Sequence, residues 1–180
     1  MCGGKSSRMK ILGVKEKPLL RVGEKRLIDY ALDALWFCEV YGVTTSRTPK
    51  TERYLRSQGI ECVRTRGAGY VEDFREAIYR LGLFEPLMLV SADLLIFDEN
   101  SLLEVVEFYH RTDLPALKVV DSYGNPVGIN IVDGYFFDVP QEEADYVLED
   151  KVININTPKD LLRAIWLIHT RRKDEGWLRD

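Results

Sequence analysis

The run Pro86-Leu-Met-Leu-Val-Ser91 is apolar at consecutive positions, without alternation, and is too short for a buried helix. A strand of that kind is buried on both faces, which points to a parallel sheet covered by helices. The flanking segments ask for the same architecture. Ile28, Ala31, Leu32 and Leu35 recur at helical spacing and predict a helix over Leu27 to about Phe37. A short strand over 39–44 follows. Thr48-Pro49 then opens a helix with a hydroxyl cap and proline at its first position, and Gly59 closes it. Ile60 to Thr65 is a strand, Arg66 to Tyr70 a loop, and Phe74, Ala77, Ile78 and Leu81 mark a helix from about Val71 to Gly82.

Beyond Asp93, Ser101 and Glu104 predict a capping box for the next helix. Ala116 to Val120, Val127 to Val132 and Val152 to Ile155 read as strands. Ser122 to Pro126 is a turn and 133–149 a long loop. Thr157-Pro158 starts a last helix to about His169, before a charged, fraying tail over 170–180. Strand and helix alternate over the first 110 residues, which gives βαβ units with right-handed crossovers. The expected fold is α/β: a three-layer, doubly wound, mainly parallel, Rossmann-like sheet, with 1–180 as one domain. Ligands of such sheets bind outside the carboxyl ends of the strands. The Gly-rich opening loop, Ser46, the Gly67 to Gly69 loop and Asp93 all follow strands and are expected to share one crevice.

The formal net charge of −4 argues against general nucleic-acid binding, which needs an excess of Lys and Arg on one face. No apolar run approaches the roughly 20 residues of a membrane span, and the opening residues lack a secretory core, so the expected location is the cytoplasm. Cys2, Cys38 and Cys62 are odd in number and widely spaced; they read as reduced structural thiols, not as a zinc site. His110 and His169 sit late in helical patterns and leave no nucleophile–histidine constellation.

Chemistry concentrates in Met1 to Leu20. Gly3 and Gly4 permit close backbone approach, Lys5, Ser6 and Ser7 follow, and Arg8 and Lys17 supply cations. Turned amides with a guanidinium and an ammonium suit a triphosphate; a solvated terminus is the plain alternative. Lys17 precedes Pro18-Leu19-Leu20, an extended backbone with apolar anchors that aims it, whereas Lys5, Lys10 and Lys15 default to solvent. A glycine loop of this kind needs a strand of roughly four to six residues before it. Only Met1 and Cys2 stand there, so the first strand is truncated before residue 2 or the start lies upstream.

Asp93 closes the most apolar strand, where a carboxylate is costly unless it holds a cation or caps a turn; a hard oxygen ligand there suits Mg²⁺ shared with phosphates. Glu72 and Asp73 open a helix and either favour its dipole or read guanine or ribose. Asn130, Asn154 and Asn156 lie in or beside strands, where asparagine is disfavoured. Tyr123, Tyr135, Phe136, Phe137 and Tyr146 offer an aromatic wall, a secondary core or a homodimer contact.

Gly3-Gly4-Lys5-Ser6-Ser7-Arg8-Met9 with Glu16-Lys17-Pro18-Leu19-Leu20 resembles the signature of the nucleoside-triphosphate transferases of glycosyltransferase-A-like fold, including the molybdenum-cofactor guanylyltransferases. Thr45-Ser46 through Thr51, Gly69 to Asp73, Val90 to Leu94, Gly128-Ile129-Asn130 and Ile153 to Thr157 are similar to the archaeal adenosylcobinamide-phosphate guanylyltransferases, in order, to about residue 162. Ser6 departs from the pattern where many members place a third glycine.

The resemblance implies transfer of GMP from GTP to a corrinoid phosphate, with pyrophosphate released. Cys2, Gly3, Gly4, Lys5, Ser6, Ser7, Arg8, Lys17, Ser46, Gly69, Glu72 and Asp73 would bind the nucleotide. Asp93 would hold Mg²⁺, and Gly128, Asn130, Asn154 and Asn156 would lie toward the acceptor. Transfer to the molybdenum cofactor or a sugar phosphate, or nucleotide binding without catalysis, are the alternatives.

Overall fold

A computed structural model describes residues 1–3, 9, 13–149 and 151–176, with side chains through Arg171. A 3₁₀ turn, Lys17–Leu19, leads into a small antiparallel hairpin of β1 (Arg21–Val22) and β2 (Lys25–Arg26). Then come α1 (Leu27–Ala34), β3 (Tyr41–Thr45), α2 (Pro49–Ser57), β4 (Glu61–Thr65), α3 (Tyr70–Leu81), β5 (Pro86–Val90) and β6 (Leu94–Ile96). The chain continues through α4 (Ser101–Tyr109), β7 (Ala116–Val120), β8 (Pro126–Asp133), β9 (Glu143–Val147), β10 (Val152–Asn154) and α5 (Pro158–Gly176).

β3 pairs in parallel with β4, and β5, β8, β7 and β9 form a second block in that order. Met1 and Cys2 join the two blocks. The Met1 ammonium donates to the Val90 carbonyl at 2.7 Å, the Ala92 amide to the Met1 carbonyl at 3.1 Å, and the Cys2 amide to the Val43 carbonyl at 2.8 Å. On the β5 side that is the hydrogen-bond pattern of a parallel pair. Only β8 in this sheet is antiparallel to its neighbours among the described strands, so the sheet is mainly parallel, as the alternation predicts.

An apolar cavity of about 480 Å³ lies between β3 and β5, lined by Tyr41, Val43, Met88, Val90 and Ile78 among others. It explains one departure from the sequence reading. Leu87, Met88 and Leu89 are half-buried and Pro86 is exposed, so the apolar run is not fully covered on both faces: it borders this space.

Other departures are local. Two strands, β6 and β9, fall where loop was expected, and β6 pairs antiparallel with β10. The last helix does not fray at 170; it runs to Gly176. Ser101 lies inside α4 after Asn100, its hydroxyl is buried without a partner among the described residues, and Glu104 turns to Lys151 at 2.7 Å, so no capping box forms. Asp160 and Thr157 do form one at α5: Asp160 Oδ2 accepts from the Thr157 amide at 2.7 Å, and the Asp160 amide donates to Thr157 Oγ1 at 3.3 Å.

The start of α2 is capped from a distance. The Thr48 hydroxyl makes no cap bond to α2 and instead meets the Thr45 backbone. The carboxylate of Glu16 takes its place, accepting from the Lys50 amide at 3.1 Å, the Thr51 amide at 2.7 Å and the Thr51 hydroxyl at 2.8 Å. Those amides have no partner inside the helix, and the carboxylate also meets the positive end of the dipole. Glu16 is buried at 8% exposure and thereby fixes the turn that carries Lys17.

The main core packs Ala31 and Ala34 of α1 and Leu102 and Val105 of α4 against Val90, Leu117, Val119, Ile129 and Ile131 of the sheet. A second cluster joins Val22, Leu27, Leu95, Ile155 and Ala164, seating α5 beside the hairpin. Among the described residues, no helix is long and apolar enough to cross a membrane.

Replacing Glu16 by Ala removes the acceptor of the Lys50 amide and of the buried Thr51 amide and hydroxyl. Urea unfolding is expected to show a loss of about 1–3 kcal/mol, with Glu16→Gln losing less because it keeps an acceptor in place.

Candidate active site

The carboxyl ends of the Met1–Cys2 bridge, β3, β4 and β5 point the same way, and a pocket of about 380 Å³ opens there. Its walls are Met1 to Gly3, Lys17, Pro18, Arg47, Gly67 to Tyr70, Asp73 and Ser91 to Asp93. This is the crevice that strand topology predicts, and it gathers Cys2, Gly3, Lys17, Gly69, Asp73 and Asp93 from the expected set. Gly4, Lys5, Ser6, Ser7 and Arg8 lie outside the described residues. Ser46 is exposed and is not part of the wall; its neighbour Arg47 is.

Gly3 is required by space: a Cβ there would stand 2.7 Å from Thr45 Cγ2. Gly67 is required by backbone, with φ +74° in the left-handed region. The loop it begins is tied down by Asp73, whose Oδ1 accepts from the Gly67 amide at 2.8 Å and the Ala68 amide at 3.2 Å. Asp73 is 6% exposed, so this carboxylate organises the loop from below. Glu72 is exposed and folds its carboxylate against Gly69.

At the other end of the pocket, Lys17 Nζ meets Asp93 Oδ2 at 2.5 Å and donates to Asn156 Oδ1 at 3.0 Å. Lys17 is buried at 9% exposure. Asn154 and Asn156 are two residues apart, so both side chains leave the same face of the extended segment that runs beside Asp93. The Ile155 amide between them donates to the Asp93 carbonyl at 2.9 Å. Asn154 Oδ1 is buried without a partner among the described residues.

A polar wall continues from there. Gly128, at φ +92°, would place a Cβ 2.9 Å from Ser91 Oγ, and the Ser91 amide donates to the Gly128 carbonyl at 2.9 Å. Burial pushes the Tyr70 phenol up, against the opposing effect of its hydrogen bonds with Asn130 and Ser91, so the hydroxyl stays protonated. Burial likewise raises the Cys2 thiol, which the nearby amino terminus only partly offsets, leaving a packed thiol and not a nucleophile.

Arg47, Tyr70, Ser91 and Glu16 are the residues that sequence reasoning missed. Arg47 and Ser91 each fall at a strand end and Tyr70 opens α3 directly after the glycine loop, so position relative to the strands was the available signal. Glu16 stands in the signature with Lys17, but its capping role left no local signal, because its partners are more than 30 positions away in sequence.

The aromatic residues separate. Tyr146 packs on Phe108 with ring centroids 5.0 Å apart and belongs to the core periphery. Tyr135 and Phe136 cluster with Phe84 beside Asp133, which pairs with Pro86 at the amino end of β5, away from the crevice. Tyr123, 89% exposed, is in the turn between β7 and β8, at the crevice end of the sheet.

Residues 1–145 match the model of the MobA-like NTP transferase domain. The chain belongs to that family. It is therefore a nucleotidyltransferase. The chain is 34% identical to the adenosylcobinamide-phosphate guanylyltransferase of Methanocaldococcus jannaschii, over 93% of its own length and 95% of the relative's. Two solved structures share the fold. One is a Bacillus anthracis protein assigned as a glucose-1-phosphate thymidylyltransferase, with TM-score 0.74, 16% identity and 92% of each chain covered. The other is molybdopterin-guanine dinucleotide biosynthesis protein A of Archaeoglobus fulgidus, with TM-score 0.65, 17% identity, and 94% and 96% covered.

Removing the loop's anchor tests its part in the site. Asp73→Ala is expected to speed hydrogen exchange at Gly67 and Ala68 by roughly tenfold or more while α4 and β7 stay protected, the local opening costing less than global unfolding.

Proposed function

We propose that this nucleotidyltransferase moves GMP from GTP to adenosylcobinamide phosphate and releases pyrophosphate, acting in the cytoplasm. The observation that carries the reading is the likeness to the corrinoid-phosphate guanylyltransferase along nearly the full length of both chains. The crevice chemistry supports it. A phosphate monoester acceptor is already anionic, so its oxygen attacks the α-phosphorus without a general base. The Pα–O bond to the β-phosphate breaks, and pyrophosphate leaves with the electron pair. What the protein must supply is placement and positive charge.

Lys17, aimed by its turn and by Glu16, neutralises charge growing on the α-phosphate oxygens. Gly3 lets the opening loop lie against the phosphates. The Gly67–Gly69 loop, held by Asp73, and Arg47 border the nucleoside end. The Asp93 carboxylate, a hard oxygen donor at the strand end in the wall of the pocket, fits a divalent cation shared with phosphates. Mg²⁺ held by Asp93 would supply charge neutralisation between the reacting phosphates. Ser91, Asn130 and the Tyr70 hydroxyl line the acceptor side, and the partly exposed Tyr70 ring, with Tyr123 exposed at the same end of the sheet, offers aromatic surface to a large macrocycle.

With GTP, Mg²⁺ and adenosylcobinamide phosphate, the protein is expected to release pyrophosphate and form a GDP-linked corrinoid visible by mass spectrometry. Absence of both products would overturn the reading. Asp93→Ala and Lys17→Ala are each expected to lower kcat by about 100-fold or more, the scale on which a single charge-stabilising group acts. Molybdopterin or a sugar phosphate in place of the corrinoid should give no product.

A further inference from the structure

The cation site at Asp93 already holds a cation. Lys17 Nζ lies 2.5 Å from the carboxylate, and the same ammonium donates to Asn156 Oδ1 at 3.0 Å. Asn156 is itself fixed, because its amide donates to Asp160 Oδ2 at 3.0 Å in the box that starts α5. We propose that Asn156 is a positioning residue that keeps Lys17 on Asp93, so that a divalent metal reaches this carboxylate only together with the triphosphate. The proposal rests on the nucleotidyltransferase reading of the crevice and adds an order of events to it.

The argument is electrostatic. Lys17 is mostly withdrawn from water, and a dication placed on Asp93 beside it would face a like charge across a poorly screened gap. The ammonium cannot relax into solvent without losing the Asp93 and Asn156 oxygens. A triphosphate changes both terms at once: its oxygens would share the metal with Asp93, and they offer Lys17 a further anionic partner. Metal and nucleotide are then thermodynamically coupled through Lys17, each raising the affinity of the other by the same factor. Asn156 acts through Lys17 and needs no contact with substrate.

Mn²⁺ binding to the nucleotide-free protein, read from the free Mn²⁺ signal in electron paramagnetic resonance, tests this without turnover. The wild type and Asp93→Asn are expected to bind Mn²⁺ equally weakly. Lys17→Met should gain a site roughly tenfold tighter or better, a gain lost in the Lys17→Met/Asp93→Asn double variant, and Asn156→Ala should fall between wild type and Lys17→Met. Adding a non-hydrolysable GTP analogue should make wild type retain more Mn²⁺ than Asp93→Asn.

Tight Mn²⁺ binding by nucleotide-free wild type that Asp93→Asn weakens would overturn the proposal, and this comparison leaves Lys17 unaltered. So would an Asn156→Ala variant that melts like wild type and binds Mn²⁺ like wild type. Failure to release pyrophosphate from GTP would instead remove the proposed reaction and leave the Mn²⁺ result standing, so the two outcomes separate.

Discussion

Three distant parts of the chain meet at the Lys17 ammonium. The turn that carries it is fastened to α2 by Glu16, its carboxylate partner follows β5, and its amide partner follows β10. None of these contacts is local in sequence, so none forms until the sheet has brought its strand ends to one side. Placing a lysine with so little exposure is costly for the isolated side chain and becomes tolerable only when its donors are met. The folded crevice is thus a precondition for the charge that makes it useful. The same dependence fixes the direction of the Lys17 stem, since Pro18 sets the backbone and Glu16 anchors the preceding residue.

The sheet that supports this arrangement consists of two paired blocks. From β5 through β9 it is continuously paired and backed by α1 and α4, whereas β3 and β4 reach it through Met1 and Cys2 and border an apolar cavity. Side chains facing such a space forgo dispersion contacts that close packing would supply. The loops contributed by the β3 and β4 side, with Arg47 and Gly67 to Gly69, border the crevice on one side, while Asp93 borders it on the other. A nucleotide spanning both would join the two sides.

Much of this was legible in the sequence, and the boundary between what was and what was not is physical. Helices α1 and α3 announced themselves because an apolar stripe at 3.6-residue spacing is a local property, and α2 because a proline start and a glycine stop are local as well. Asp93 and Lys17 stood out because a charge beside an apolar run is a local anomaly. β6, at three residues, is too short to show a period, and β9 carries Glu143 and Asp145 and no fully buried apolar position, so pairing partners decide both. The caps failed where a distant group could win: Glu16 displaced Thr48 at α2, while at α5, with no such competitor, Thr157 and Asp160 closed the box as their spacing suggests. Ser46 and Arg47 show the same limit at the site, since one residue of register decides which neighbour faces the crevice.

The chemistry explains why so few catalytic side chains are needed. Moving a nucleotidyl group to a phosphate requires no proton to be taken from the nucleophile, so histidine and cysteine have no task, and both buried thiols are packed away. What remains is to hold several negative groups in line against their mutual repulsion. In the proposed reaction this task falls to the Lys17 ammonium and the Asp93 carboxylate, groups that stand at the carboxyl ends of the strands. Discrimination among acceptors then falls to the surface beyond the phosphates, and there the polar wall of Ser91, Asn130 and Tyr70 ends at the exposed turn of Tyr123. The reacting centre can stay constant across a family of transferases while that outer surface sets the acceptor.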